Sequence, residues 1–167
     1  MSKWKKTLLG GGIFGVLLMA LSFFGCGSVH TSIVIPASPE NIWSVLTDPA
    51  GYSEWNPVLV PFEGELRQGE TVMYRMTDHN GKTSEVEATV IEMVERKTLN
   101  QFGGMRGILT FDHSWTLEEV EGGTRVTQHE EYRGIGVWFW DYSWVEVAYS
   151  RANEALQKRV LQFSQDR

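Results

Sequence analysis

The spacing of hydrophobic and polar positions divides the chain into regions of different periodicity. Over residues 59–133 apolar and polar residues alternate, which is typical of strands with one buried face. Residues 29–35 are rich in β-branched side chains and predict an earlier strand that ends at Pro36. Turns are expected at Gln68-Gly69, Asn80-Gly81, Gly103-Gly104 and Gly122-Gly123. The middle of the chain is therefore predicted to be an antiparallel meander.

Segments with helical spacing flank this meander. Ser38 is predicted to be an N-cap and Pro39 a first helical residue, so residues 39–46 should form a short helix. A second helical turn is expected within residues 51–57, where a proline stops it. From Asp141 onward, apolar residues recur at helical spacing and predict a long amphipathic C-terminal helix. Because its apolar stripe must be buried, we expect this helix to pack on one face of the sheet.

The order of one strand, two short helices, a meander and a long helix is accompanied by recognisable residues. They are Ile35-Pro36-Ala37-Ser38-Pro39-Glu40 with Trp43, the segment from Asp48-Pro49 to Trp55-Asn56-Pro57, Glu63-Gly64-Glu65-Leu66 with Gly69, and the block from His113 through Gly122-Gly123-Thr124-Arg125 to Gly134. With them the chain resembles the SRPBCC superfamily of START and Bet v 1-like proteins, specifically its polyketide cyclase/dehydrase-like branch. The resemblance implies an α+β helix-grip fold, in which a curved antiparallel sheet wraps around the long helix and leaves an apolar tunnel. It says less about chemistry, because this fold hosts lipid carriers, hormone receptors and cyclases.

The beginning of the chain has the pattern of a targeting segment. Three lysines within the first six residues precede an uncharged, mostly apolar run over residues 7–24. The run ends at Gly25-Cys26, which resembles the junction where bacterial lipoproteins are cleaved and lipidated, although Phe23 and Phe24 replace the usual Leu and small residue. The alternative is an uncleaved membrane anchor, because the run is near the lower length limit for spanning a bilayer.

These patterns divide the 167 residues into a signal peptide or anchor (1–25), a tether (26–28) and one domain (29–167), a length that fits a single core. Cys26 is the only cysteine, so no disulfide and no cysteine-based metal site can form within the chain. In the lipoprotein interpretation Cys26 carries the lipid. The expected location is the bacterial cell envelope, with the protein attached to a membrane through its N-terminus.

Charge and histidine spacing exclude several classes. All 21 Asp and Glu follow Cys26, whereas three of the 15 Lys and Arg precede it, so the domain is more acidic than the net charge of −6 suggests. This balance argues against a nucleic-acid partner. The four histidines (His30, His79, His113 and His129) lack metal-ligand spacing, and we expect neither a metal nor another cofactor.

Two neighbouring strands are predicted to line the tunnel. Their inward side chains are Phe111, His113, Trp115 and Leu117 on one strand, and Val126, Gln128, Glu130 and Tyr132 on the next. A turn around Glu121-Gly122 sets His113 opposite Glu130. The same register sets Phe111 opposite Tyr132 and Trp115 opposite Gln128.

His113 and Glu130 are the candidate catalytic residues. In an apolar cavity a carboxylate orients an imidazole and raises its basicity. Such an imidazole could act as the general base that removes a proton to enolise a ketone. The alternatives are a buried polar pair that satisfies itself, or a pair that orients the polar end of a ligand.

The connection over residues 134–144 is unusually apolar, with Trp138, Trp140 and Trp144 among its residues. It is either a lid at the tunnel mouth, a surface that touches a membrane, or a segment packed against Trp55. The full set of candidate cavity residues is Trp55, Phe111, His113, Trp115, Gln128, Glu130, Tyr132, Trp138, Trp144 and Ala148.

Three functions remain open from the sequence. The first is a membrane-tethered binding or carrier domain for a lipid-like or aromatic small molecule. The second is a polyketide cyclase or dehydratase-type enzyme that uses His113 and Glu130. The third is an envelope interaction protein with a filled core and no small ligand.

Overall fold

The computed structural model describes residues 25–165. The predicted signal or anchor segment lies outside the described residues, apart from Gly25, so its assignment stays a prediction. Within residues 25–165 no helix is long and apolar enough to cross a bilayer.

Seven strands form a single antiparallel sheet. They are β1 (Cys26–Ile35), β2 (Leu59–Gly64), β3 (Thr71–Thr77), β4 (Thr83–Val94), β5 (Thr98–Met105), β6 (Leu109–Val120) and β7 (Gly123–Arg133). The strand order is β1-β7-β6-β5-β4-β3-β2. Register shifts between Pro61 and Glu63 and between Val90 and Glu92 interrupt the pairing, and bulges of this kind bend a strand.

The helices are α1 (Pro39–Leu46), α2 (Tyr52–Trp55) and α3 (Ser143–Gln165), with 3-10 turns at Pro49–Gly51 and Ile135–Trp138. As predicted, Ser38 caps α1: its hydroxyl accepts a hydrogen bond from the Asn41 backbone N–H at 3.4 Å. Asp141 Oδ1 accepts from the Ser143 N–H at 3.0 Å at the start of α3. Because α3 contacts β1 and α1 and is held by the curved sheet, the predicted helix-grip α+β fold is confirmed.

The first strand starts earlier than expected. β1 begins at Cys26, and residues 26–28, the expected tether, pair with residues 131–133 of β7. Gly27 permits this extension, because a Cβ there would lie 2.5 Å from the Tyr142 hydroxyl oxygen. The folded domain therefore includes all three residues.

Two turns of the meander differ from the prediction. Gly103-Gly104 lies within β5, where a Cβ on Gly103 would lie 2.4 Å from Phe111 Cζ, so this glycine serves close packing rather than chain reversal. The reversal occurs around Gly107, which has a φ of +80°. The β4–β5 turn, which no glycine marks in the sequence, contains Arg96 with a φ of 60°.

The core divides into two clusters along α3. The packed end takes its largest fully buried residues from the sheet, α1 and the second half of α3: Ile35, Ile42, Leu46, Val72, Val90, Leu99, Val126, Leu156 and Val160. The cavity end surrounds the first half of α3: Val29, Val58, Tyr132, Val137, Val145, Tyr149 and Ala152.

Candidate functional site

A cavity of about 360 Å³ lies between the sheet and the first half of α3. This volume falls at the small end of the range for ligand pockets, roughly 300–1,000 Å³. Its apolar wall consists of Val58, Leu59, Met76, Val86, Ala88, Gly104, Leu109, Phe111, Trp140, Trp144 and Val145. The polar side chains that line it are Tyr74, Gln101, His113, Glu130, Tyr132 and Tyr149.

The predicted pairing of β6 with β7 is confirmed. His113 is the register partner of Glu130, Phe111 of Tyr132, and Trp115 of Gln128. The side chains predicted to point inward on β7 are all buried.

Five of the ten predicted cavity residues line the cavity: Phe111, His113, Glu130, Tyr132 and Trp144. Trp115 and Gln128 line a narrow gap beside it, which also touches His113. These seven residues are therefore brought together at one site.

The other three predicted cavity residues lie elsewhere. Trp55 belongs to the packed end, where its ring contacts that of Tyr52 at 4.8 Å. Trp138 is 61% exposed, because the 3-10 turn directs it to the surface. Ala148 packs at the edge of the cavity-end cluster, while Val145 and Tyr149 occupy the face of α3 that lines the cavity.

A buried hydrogen-bond chain fixes the imidazole of His113. Gln128 Nε2 donates to the Tyr149 backbone oxygen at 3.1 Å and to Asn153 Oδ1 at 2.8 Å, so its amide oxygen faces His113. That oxygen lies 3.2 Å from His113 Nε2. Nε2 therefore carries the hydrogen, and Nδ1 is left as an acceptor. Asn153 Nδ2 in turn donates to Thr31 Oγ1 at 3.1 Å, which ties the chain to β1.

His113 is electrically neutral near pH 7. Burial lowers its pKa from the ordinary value of 6.5, and this effect outweighs the nearby Glu130 charge and the Gln128 hydrogen bond, which act in the opposite direction.

Glu130 is held by two tyrosines rather than by the histidine. Its Oε2 accepts hydrogen bonds from the Tyr132 hydroxyl and, at 2.5 Å, from the Tyr149 hydroxyl. Burial and the adjacent carboxylate raise the pKa of both phenols, so both stay protonated and donate. The expected orienting contact between Glu130 and His113 is not formed, because these phenols and Gln128 are the hydrogen-bond partners instead.

A second polar pair, Tyr74 and Gln101, lines the cavity from β3 and β5. Gln101 Nε2 donates to the Tyr74 hydroxyl oxygen at 2.6 Å. Burial raises the pKa of Tyr74 to about 12. Alternation along both strands places these residues inward, but the wall predicted from the sequence took its strand residues only from β6 and β7.

The open end of the cavity is marked by lining residues that keep some exposure: Leu59, Met76, Val86, Gly104, Leu109, Phe111, Trp140 and Trp144. Met105, Ile108, Trp138 and Phe139, which we call the apolar patch, are 63%, 54%, 61% and 85% exposed. Backbone hydrogen bonds link their segments, from the Ile108 N–H to the Met105 oxygen and from the Gly136 N–H to the Ile108 oxygen. The apolar connection over residues 134–144 therefore contributes to both places: Trp140 and Trp144 line the cavity, and Trp138 and Phe139 belong to the patch. Among the described residues no group of three or more His, Cys, Asp or Glu is arranged to hold a metal.

Comparison with known proteins identifies the family of the chain. The family model described as "Polyketide cyclase / dehydrase and lipid transport" matches residues 27–161. The chain belongs to this family. The membership supports the SRPBCC superfamily predicted from the sequence and a ligand-binding role for the domain. No curated protein matches the sequence significantly.

Several solved structures share the fold of this chain. Protein Ms6760 from Mycobacterium smegmatis is 19% identical, with a TM-score of 0.66, over 81% of this chain and 91% of that one. Ara h 8.0201 is 18% identical, with a TM-score of 0.64, over 83% and 99%. The di-domain ARO/CYC BexL from the BE-7585A biosynthetic pathway is 10% identical, with a TM-score of 0.65, over 80% and 50%. At these identities the similarity establishes the fold alone.

Proposed function

We propose that this member of the family is a membrane-tethered binding or carrier domain for an apolar small molecule, lipid-like or aromatic. The observation that carries the proposal is the cavity of about 360 Å³, whose wall is mostly aliphatic and aromatic. Apolar ligand surface buried there gains roughly 25 cal/mol per Å². Polar groups at one part of the wall would fix the orientation of the ligand.

The position of the apolar patch supports attachment to a membrane. Met105, Ile108 and Phe139 each adjoin, in the chain, a residue at the open end of the cavity. Gly25, which follows the apolar run of residues 7–24, accepts a hydrogen bond from the Gly134 N–H at 2.9 Å. A Cβ on Gly25 would lie 3.0 Å from Trp138 Nε1. The chain therefore enters the domain beside the patch, so a tether would hold the open end of the cavity against the bilayer of the bacterial envelope.

Lipidation at Cys26 is tested by labelling the full chain in cells with a tagged fatty acid. The lipoprotein interpretation expects label on the wild type and none on Cys26→Ala. An unlabelled wild type that still sediments with membranes would instead favour the uncleaved anchor.

A second candidate function is proton abstraction from a ketone, as in a cyclase or dehydratase. It is favoured by the neutral imidazole of His113, whose Nδ1 is free to accept a proton. Glu130 would then act separately, because no hydrogen bond joins its carboxylate to the imidazole. This function predicts that His113→Gln abolishes turnover of a poly-ketone while the affinity for the substrate is retained.

The proposed binding function is tested by identifying small molecules that purify with the full chain. Val86→Trp places an indole in the cavity, whereas Val94→Trp makes the same change on the same strand at a position that is 41% exposed. Mass spectrometry of solvent extracts should find a compound enriched with the wild type and with Val94→Trp but not with Val86→Trp. Identical extracts from all three folded proteins would contradict the proposal and favour the ligand-free interaction protein.

A further inference from the structure

The charge inside the cavity points to the chemical class of its ligand. We infer that the cavity selects an apolar molecule that carries a protonated primary amine, with the ammonium group held at the Glu130 carboxylate. This inference rests on the proposed binding function and names the ligand class that it would serve.

The first argument is charge. Glu130 is the only carboxylate among the lining residues, and these residues include no lysine or arginine. The residue is only 6% exposed and takes part in none of the ion pairs of the described chain, whereas its neighbour Glu131 is paired with Arg133 at 2.9 Å on the outer face. A buried carboxylate without a cation attracts a positive ligand group and repels a ligand carboxylate or phosphate.

The second argument is hydrogen bonding. Both phenol hydrogens of Tyr132 and Tyr149 are used on Glu130 Oε2, and no described residue donates to Oε1. His113 Nδ1 is a second acceptor on the same wall, because the hydrogen of its imidazole is on Nε2. The wall around Glu130 and His113 therefore presents hydrogen-bond acceptors and few hydrogen-bond donors. A primary ammonium group has three N–H donors and no acceptor, which matches it.

The third argument is the aromatic surroundings. The ring of Trp140 meets that of Tyr132 edge to face at 4.8 Å, and the ring of His113 lies 5.1 Å from that of Tyr149. Aromatic faces attract cations. Apart from the Tyr74–Gln101 pair, the rest of the wall is apolar and the cavity is small, so the body attached to the amine should be a single chain or ring system.

Three probes with the same apolar chain test the inference: octylamine, octanol and octanoate, each titrated into the full chain by calorimetry near pH 7. Octylamine is protonated there, as a lysine amine is. We expect octylamine to bind at least about 10-fold more tightly than octanol. Octanoate should bind most weakly of the three. Glu130→Gln should remove the advantage of octylamine and leave octanol affinity in place. The matched control is Glu131→Gln, which removes the same charge from the outer face and should keep the wild-type order.

The outcomes separate this inference from the proposed function. If octanol binds as tightly as octylamine, or if octanoate binds most tightly, the inferred amine preference is wrong but the proposed binding function stands. Failure of all three probes to bind the folded protein would overturn both. The wild-type comparison stands even if Glu130→Gln does not fold, since an absent preference there is by itself decisive.

Discussion

The two halves of α3 lie on the same sheet but have different surroundings. In the second half, Leu156 and Val160 are fully buried among the aliphatic and aromatic side chains of the packed end, which also includes residues of α1. In the first half, Val145 and Tyr149 face the cavity. The walls there combine aliphatic, aromatic and polar side chains. Hydrogen bonds join several of the polar side chains in and beside the cavity, such as Gln128 and Asn153. Close side-chain packing fills space, whereas hydrogen-bonded side chains anchored on opposite walls can hold a space open.

The largest effect is expected at the packed end. Leu156→Ala removes a fully buried side chain from the packed end, so it should lower the free energy of unfolding by about 2–5 kcal/mol. Chemical denaturation measures the loss, and probe affinity of the protein that remains folded should be unchanged. A loss below about 1 kcal/mol would mean that this end is not tightly packed.

A smaller effect is expected where hydrogen bonds maintain the cavity. Tyr149→Phe removes one of the two phenols that donate to Glu130 Oε2 and should destabilise the fold by about 1–3 kcal/mol. Tyr142→Phe is the matched control, because Tyr142 packs against Tyr132 without a hydrogen bond from its hydroxyl in the described structure. Equal denaturation midpoints for Tyr149→Phe and Tyr142→Phe would contradict the role assigned to the phenol.

The smallest effect concerns pH. Because burial lowers the pKa of His113 below 6.5, the unfolded chain binds the proton more readily than the folded one. The stability that depends on this residue is present above about pH 6.5 and is lost as the pH falls through the lower, folded pKa. Glu130 and Asp112 oppose the shift and His129 adds to it, so the change should be modest. Unfolding measured from about pH 7 to pH 5 should therefore depend less on pH in His113→Gln, and parallel curves would contradict the assignment.

The sequence predicted the elements that follow from local rules. The register of β6 with β7 could be derived because a short turn fixes which residues face each other. The turn at Arg96 was missed because no glycine or proline marks it. Gly103-Gly104 was assigned to a turn because its real cause, the approach of the Phe111 ring, is a tertiary contact.

The candidate site was predicted in part for the same reason. Register placed His113 opposite Glu130, but it specifies backbone neighbours and not side-chain hydrogen bonds. Sequence reasoning does not find Tyr149 and Asn153, although they follow Val145 by four and eight residues and so lie on the buried stripe of α3. Helical spacing applied to polar as well as apolar residues of that stripe predicts both.

The most direct test of the account is xenon binding, since xenon enters apolar cavities but not close-packed cores. Methyl NMR spectra of the solvent-extracted protein would be recorded under increasing xenon pressure. The account predicts shifts for the cavity methyl groups of Val86, Leu109 and Val145, with little change for Val126, Leu156 and Val160. Shifts of equal size in both groups, or none in the first, would contradict the claim that one end of α3 faces a ligand cavity.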